Sequence, residues 1–292
     1  MSMSTIRRGG GGRKSALESI EGLDAAFLKV LSQHTAGSPQ DETVKWTNLN
    51  RHEIADLLKA DGVDIRIYKE LGNPVISMDT KKELIGSLYR AGRLYTQEEV
   101  KVYDHDWPSL AEGVVIPHGL YDLARNEGYI QIGTSHDTGE FACDSLQYWW
   151  QHHGVIHYPD AVSILLLCDG GGSNSSRHYL FKQDLQRLAN ELGIEIRIAH
   201  YPPYTSKYNP IEHRLFPHVT RACQGVIFKR TEIVQELIAK TKTSTGLQVF
   251  ATILDGVYET GRNVTEEYKQ NMEIVFDDYL SQWNYTAVPQ IF

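Results

Sequence analysis

A nearly unbroken apolar run, Val162-Ser163-Ile164-Leu165-Leu166-Leu167-Cys168, stops at Asp169 and gives way to Gly170-Gly171-Gly172-Ser173-Asn174. Seven such residues are too few for a helix of ordinary length, so the run predicts a buried strand. The pattern recurs upstream as Pro74-Val75-Ile76-Ser77-Met78-Asp79. Other segments fill in the rest. Lys82–Leu94 reads as a turn and a second strand containing Leu84 and Ile85, and Tyr129–Thr134 alternates as a strand does. Gly139–Trp150 reads as a helix carrying Phe141, Leu146, Trp149 and Trp150. Tyr179–Leu192 is amphipathic, and Glu195–Ala199 is another strand. Strands interleaved with helices predict an α/β fold, a mixed sheet covered on both faces.

The two apolar strands share an acidic end, and a third acid follows. In His200–Phe216, HYPPYTSKYNPIEHRLF, the pair Asn209-Pro210 is a helix start with proline at the first helical position, which puts Glu212 in the first turn. Two strands ending in aspartate and a helix opening on glutamate supply what a two-metal phosphoryl-transfer site needs. Mg²⁺ is a hard ion that takes carboxylate oxygens, and two ions roughly 4 Å apart can clamp the attacking and departing oxygens of a phosphodiester. Plainer readings exist for each acid: a turn aspartate at 79, a phosphate-cradling glycine loop after 169, a dipole-stabilising glutamate at 212. The glycine loop lacks the G-K-[ST] ending of a nucleotide site. The three acids lie far apart in sequence, so only folding can join them.

These segments resemble the DDE transposases of insertion sequences, in particular the Rhodopirellula transposase DDE domain family, with a more distant likeness to mariner-like transposases. The likeness runs from about Asn73 to the C-terminus. It is carried by Ser77–Gly86, His118–Trp150, Cys168–Asn174 and the Glu212 segment. It implies a ribonuclease-H-like fold and a transposase that cleaves and transfers DNA strands, with Asp79, Asp169 and Glu212 as catalytic metal ligands. Mg²⁺ is the implied cofactor, with Mn²⁺ able to substitute. The implied partner is double-stranded DNA, element ends and target, bound by a homo-oligomer in the bacterial cytoplasm at the nucleoid. Residues expected to orient the ligands or touch DNA are Asn174, His178, Tyr204, Lys207, Asn209, Lys81 and Lys82.

Composition bounds the rest. The chain of 292 residues has room for one large domain and a small one. We expect a disordered basic tail over 1–15, a helical, partial helix-turn-helix-like DNA-binding region over 16–72, with a polar linker at Gln33–Glu42, and the catalytic domain over 73–292. Between Gly62 and Pro74 there is no room for a recognition helix. That shortening leaves open a catalytically silent remnant that binds DNA or multimerises with an intact transposase. A nuclease acting on RNA–DNA hybrids is a third reading. Cys143, Cys168 and Cys223 are odd in number and widely spaced, which argues against a zinc or disulfide framework. No apolar stretch reaches the roughly 18 residues of a membrane span. A net charge of −8 counts against a polyanionic partner, although bound cations would offset site carboxylates. Asp137 is expected to support the site, Asp104 and Asp106 to be solvated, and His152, His153 and His157 to fit no zinc spacing.

Overall fold

The structure, a computed structural model, describes residues 71–89, 91–92, 97–169, 171, 175, 178–201, 209–277 and 281–290, with the backbone of two short strands before them. The chain divides into two compact units, Met1–Val63 and Asp64–Phe292. In the first, β1 (Thr35–Gly37) and β2 (Lys45–Thr47) pair antiparallel, and β1 falls within the segment expected as a linker. The basic tail, the helices expected over Ser15–Ser32 and Arg51–Ala60, and the stretch after Gly62 lie outside the described residues.

The second unit begins with β3 (Val75–Thr80), β4 (Glu83–Ile85), β5 (Leu88–Tyr89) and β6 (Tyr103–Asp104), then the long hairpin β7 (Gly113–Asp122) and β8 (Glu127–Gly133). After α1 (Gly139–Trp149) come β9 (Ser163–Asp169), α2 (Tyr179–Leu192) and β10 (Glu195–Tyr201). The chain finishes with α3 (Pro210–Arg214), α4 (Phe216–Ala222), α5 (Thr231–Ala239), β11 (Gln248–Ile253), α6 (Glu266–Gln270), β12 (Val275–Phe276) and β13 (Asn284–Ala287).

One sheet of nine strands runs in the order β11-β8-β7-β3-β9-β10-β13-β12, with β4 also on β7. At its centre β8, β7 and β3 are successively antiparallel, while β3, β9 and β10 are parallel. That is the ribonuclease-H-like arrangement. From β3 the chain turns to one side of the sheet, and from β9 to the other, so the β3–β9 junction is a topological switch point, where open sheets leave a crevice at the strands' carboxyl ends. Asp79 and Asp169 sit at those ends.

Both sheet faces are covered, as the apolar strands require. On one face Ile76, Met78, Leu120, Ile164 and Leu166 pack against Leu146 and Trp149 of α1 and Phe181 and Leu185 of α2. On the other, Tyr121, Ile130 and Ile132 meet Ile211, Leu215, Phe216 and Val219 of α3 and α4, and Val234 and Ile238 of α5. Each such buried side chain contributes roughly 1.5–3 kcal/mol. Side-chain parity along β3 and β9 turns the Asp79 and Asp169 carboxylates toward the α3 face.

The ten-residue β7 is the element that sequence reasoning leaves out, because Gly113, Pro117 and Gly119 read as strand breakers. Pro117 is tolerated at a gap. Thr80 pairs with His118 and Glu83 with Val115, so Pro117 faces the turn between β3 and β4, and its carbonyl accepts from Lys81 N–H at 2.9 Å. A strand residue's N–H and C=O point the same way, so the missing proline donor also faces that gap. Gly119, opposite Asp79, serves the site. A Cβ there would lie 2.8 Å from Ile211 Cδ1 and 2.9 Å from the Phe216 ring, so only glycine lets α3 and α4 seat this closely.

Candidate active site

Asp79 and Asp169 come from neighbouring parallel strands whose last shared pair is Met78 with Cys168, so the two acids lie side by side. Glu212 arrives from above, on α3, and its position depends on a buried polar clamp. Asn209 and Ser77 are both fully buried. The Ser77 hydroxyl donates to Asn209 Oδ1 through a short hydrogen bond and accepts from Ile211 N–H at 2.9 Å, while Asn209 Nδ2 donates to the Met78 carbonyl at 3.0 Å. The Asn209 side chain therefore does not cap its own helix. It pins the start of α3 to the strand that carries Asp79. Ser77, a lone hydroxyl in an apolar strand, was the available sequence signal, since a buried polar group needs partners.

The acids sense one another. Burial, a hydrogen bond to the Glu212 carboxyl and the neighbouring Asp169 charge together push Asp79 up to about 8, although Thr80 N–H donates to its Oδ1 at 2.7 Å. Asp169 is also raised, first by burial and then by the charges of Glu212 and Asp137, with the Gly171 N–H acting the other way. Asp137, from the β8–α1 loop, is thus a fourth acid within electrostatic reach. Near neutral pH the protein holds a proton on Asp79 between two other carboxyls. A hard cation bound by those oxygens would replace that proton, so the donor set fits a divalent ion. Among the described residues, the only acid–histidine group with ligand atoms all within 4.8 Å of one another is Asp104, His105 and Asp106, in a loop where both aspartates are exposed. The ligand atoms of Asp79, Asp169 and Glu212 are not all within that distance of one another, although the Asp79 and Glu212 carboxyls share a hydrogen bond.

Other expected residues fall at varied distances from this cluster. Lys81 donates to Thr220 Oγ1 at 2.6 Å and lies over the Phe216 ring, tied to α4. Lys82 is exposed and borders a cavity of about 190 Å³ shared with Thr220 and Gln224. His178 is exposed at the start of α2, where its side chain makes no capping bond. Asn174, Tyr204 and Lys207 lie outside the described residues. His152 stacks on Tyr148, His153 packs on Tyr129, and His157 is 3.9 Å from Glu127. Behind Asp169, His200 is 6 % exposed and burial lowers it to about 4, so its ring is neutral.

Among solved structures, a crystal structure of the Mos1 mariner paired-end complex with Mn is 11% identical over 80% of this chain and 57% of that one, with a TM-score of 0.38. This chain thus spans little more than half of that protein's length. The Mos1 transposase paired-end complex with left transposon end is 12% identical (80% and 72% covered, TM-score 0.37), and a pre-cleavage Mos1 transpososome 10% (77% and 71%, TM-score 0.37). No curated protein sequence matches. Among the described residues, no helix is long and apolar enough to cross a membrane. A family model, the Rhodopirellula transposase DDE domain, matches residues 63–289, well over half of the chain, and this chain belongs to that family.

Proposed function

We propose that this transposase-family chain is a divalent-metal-dependent DNA strand transferase in which Asp79, Asp169 and Glu212 hold the metal. One observation carries the assignment: the acids meet at the carboxyl edge of the β3–β9 switch point, with α3 pinned over them by Ser77 and Asn209. A bound Mg²⁺ or Mn²⁺ would supply Lewis-acid activation of the attacking oxygen and neutralise charge on the departing one. The protein's share is placement. Asp79 gives up its proton, Asp169 holds its carboxylate beside it, and Glu212 closes the site from α3. The attacking oxygen, of water or of a DNA 3′-hydroxyl, forms the new bond to phosphorus while the bond to the departing 3′-oxygen breaks. Because only the attacking oxygen differs, one site serves both cleavage and strand transfer. The test is nicking of a plasmid carrying the gene's natural flanking DNA, with Mg²⁺, Mn²⁺ or Ca²⁺. Absence of nicking with Mg²⁺ and Mn²⁺ would refute the assignment and favour a silent remnant.

The pH dependence follows from Asp79. Its folded pKa, about 8, lies above the usual carboxyl value near 3.9. Its stabilising contribution is therefore complete below the unfolded value and is lost as pH rises through about 8. Metal-free protein should melt at progressively lower temperature across that window. Added Mn²⁺ should restore more stability at pH 8.5 than at pH 6.5, since less proton must be displaced. Thermal melts with EDTA or Mn²⁺ at both pH values decide this, and an unchanged Mn²⁺ effect would contradict it.

A chain of net charge −8 must bind DNA through a local surface. Residues 213–246 carry Arg214, Arg221, Lys229, Arg230, Lys240 and Lys242 against only Glu232 and Glu236. All six cations are exposed, on or beside the helices that cover the face of the site. Binding should therefore weaken steeply with salt. Replacing Arg214 and Arg221 with alanine should flatten the slope of log K against log salt by roughly 2, near 0.9 per lost phosphate contact. An unaltered slope would move the DNA path elsewhere.

A further inference from the structure

We infer that His200 and Tyr285 are positioning residues that set Asp169 from the opposite face of the sheet; the inference rests on Asp169 being a metal ligand. His200 lies on β10 directly beside Cys168 in the parallel register, one residue before Asp169. Its Nδ1 is 3.0 Å from the Asp169 main-chain oxygen, and its Nε2 is 2.8 Å from the Tyr285 hydroxyl. The Asp169 carbonyl can only accept, so Nδ1 carries the proton. Nε2 of the neutral ring is then bare and accepts from Tyr285 O–H. A histidine so fixed at both nitrogens has one tautomer and one orientation. Tyr285 is fixed in turn, buried on β13 and paired through Ile198 with β10.

Location gives this chain of bonds its purpose. The His200 ring projects to the α2 face, near Phe181, whereas the Asp169 carboxylate projects to the α3 face. His200 therefore cannot be a ligand itself. It holds the peptide from which the carboxylate springs. That peptide is the last of β9, and the next three residues in sequence, Gly170-Gly171-Gly172, bring no side chain that could hold it. Without the imidazole donor, Asp169 would keep only its pairing with Tyr201 at the last position of the β9–β10 register and the Gly171 N–H on its carboxylate. Groups that orient ligands from behind typically change metal affinity by about 10- to 100-fold when removed.

The experiment is a Mn²⁺ titration of the full-length chain, with free ion followed by electron paramagnetic resonance and melting temperature measured in EDTA. The variants are His200→Ala, His200→Asn, Tyr285→Phe and Asp169→Asn. Asparagine can place an amide donor near the former Nδ1, so His200→Asn should bind Mn²⁺ within about 3-fold of the unaltered protein. His200→Ala should bind about 10-fold or more weakly. Tyr285→Phe, which keeps the ring and volume, should fall between them. A merely structural role predicts instead that affinity tracks melting temperature and that asparagine gives no rescue, and that result overturns the inference. Should His200→Ala fail to fold, Tyr285→Phe binding at full affinity would overturn it equally. Loss of binding in Asp169→Asn with unchanged binding in the His200 and Tyr285 variants refutes the positioning role alone. Full binding in Asp169→Asn refutes the ligand assignment beneath it.

Discussion

Asp169→Asn is expected to lower metal-dependent strand cleavage by at least about 10³-fold while leaving the metal-free protein as stable as before, or more so. Asparagine keeps the volume and one oxygen but removes the charge that a hard cation requires. Metal ions stabilise charge in such transition states by several kcal/mol, and each 1.36 kcal/mol is a factor of ten in rate. The stability half of the expectation comes from the site's own electrostatics. Asp169 is one of the charges that raise Asp79, and burial and nearby acids raise Asp169 itself. Neutralising it relieves like-charge crowding, so Asp79 should titrate lower and the metal-free fold should lose nothing. The two readouts, cleavage with Mg²⁺ or Mn²⁺ and melting in EDTA, must move in opposite senses or only the first must move. Cleavage within about tenfold of the unaltered protein would remove Asp169 from the site. A large fall in melting temperature would mean that the loss of activity reports unfolding.

The sheet's centre was legible because its strands are extreme. Val162–Cys168 and Val75–Met78 offer hardly a polar atom to solvent, and both become interior parallel strands within a residue or two of the expected limits. The amphipathic stripe of Tyr179–Leu192 likewise becomes α2, closed by Gly193 in the left-handed conformation. What was not legible depends on partners remote in sequence. Strand β7 contains a proline and two glycines that argue locally against it; the gap beside Lys81 explains Pro117 and the close approach of Ile211 explains Gly119. That Asp79 and Asp169 close strands and Glu212 opens a helix could be read from the sequence. The machinery that places them could not. Asn209 reads as a helix cap, yet its side chain reaches back over 131 residues to Met78, and His200 sits in a tyrosine-rich segment that gives no hint of the Asp169 carbonyl.

The clamp yields the second large effect, and a double substitution separates its two roles. Asn209→Ala removes the donor to the Met78 carbonyl and the acceptor for Ser77, leaving buried polar groups unpaired at a cost of about 1–3 kcal/mol. Ser77→Ala strands Ile211 N–H and Asn209 Oδ1 in the same way. Removing both partners of a buried hydrogen bond can be far less costly than removing one. The double variant should therefore be more stable than the sum of the singles, with a coupling of about 0.5–3 kcal/mol. Cleavage should not recover with it. In each variant α3 loses an anchor to β3, and Glu212 loses its fixed height above Asp79. Misplacement by about 1 Å can cost roughly 10²-fold in rate, so all three variants should cleave at a few per cent of the original rate or less. Urea denaturation and single-turnover cleavage measure the two quantities on the same preparations. If cleavage returns together with stability in the double variant, the clamp only holds the fold and Glu212 is positioned by other contacts.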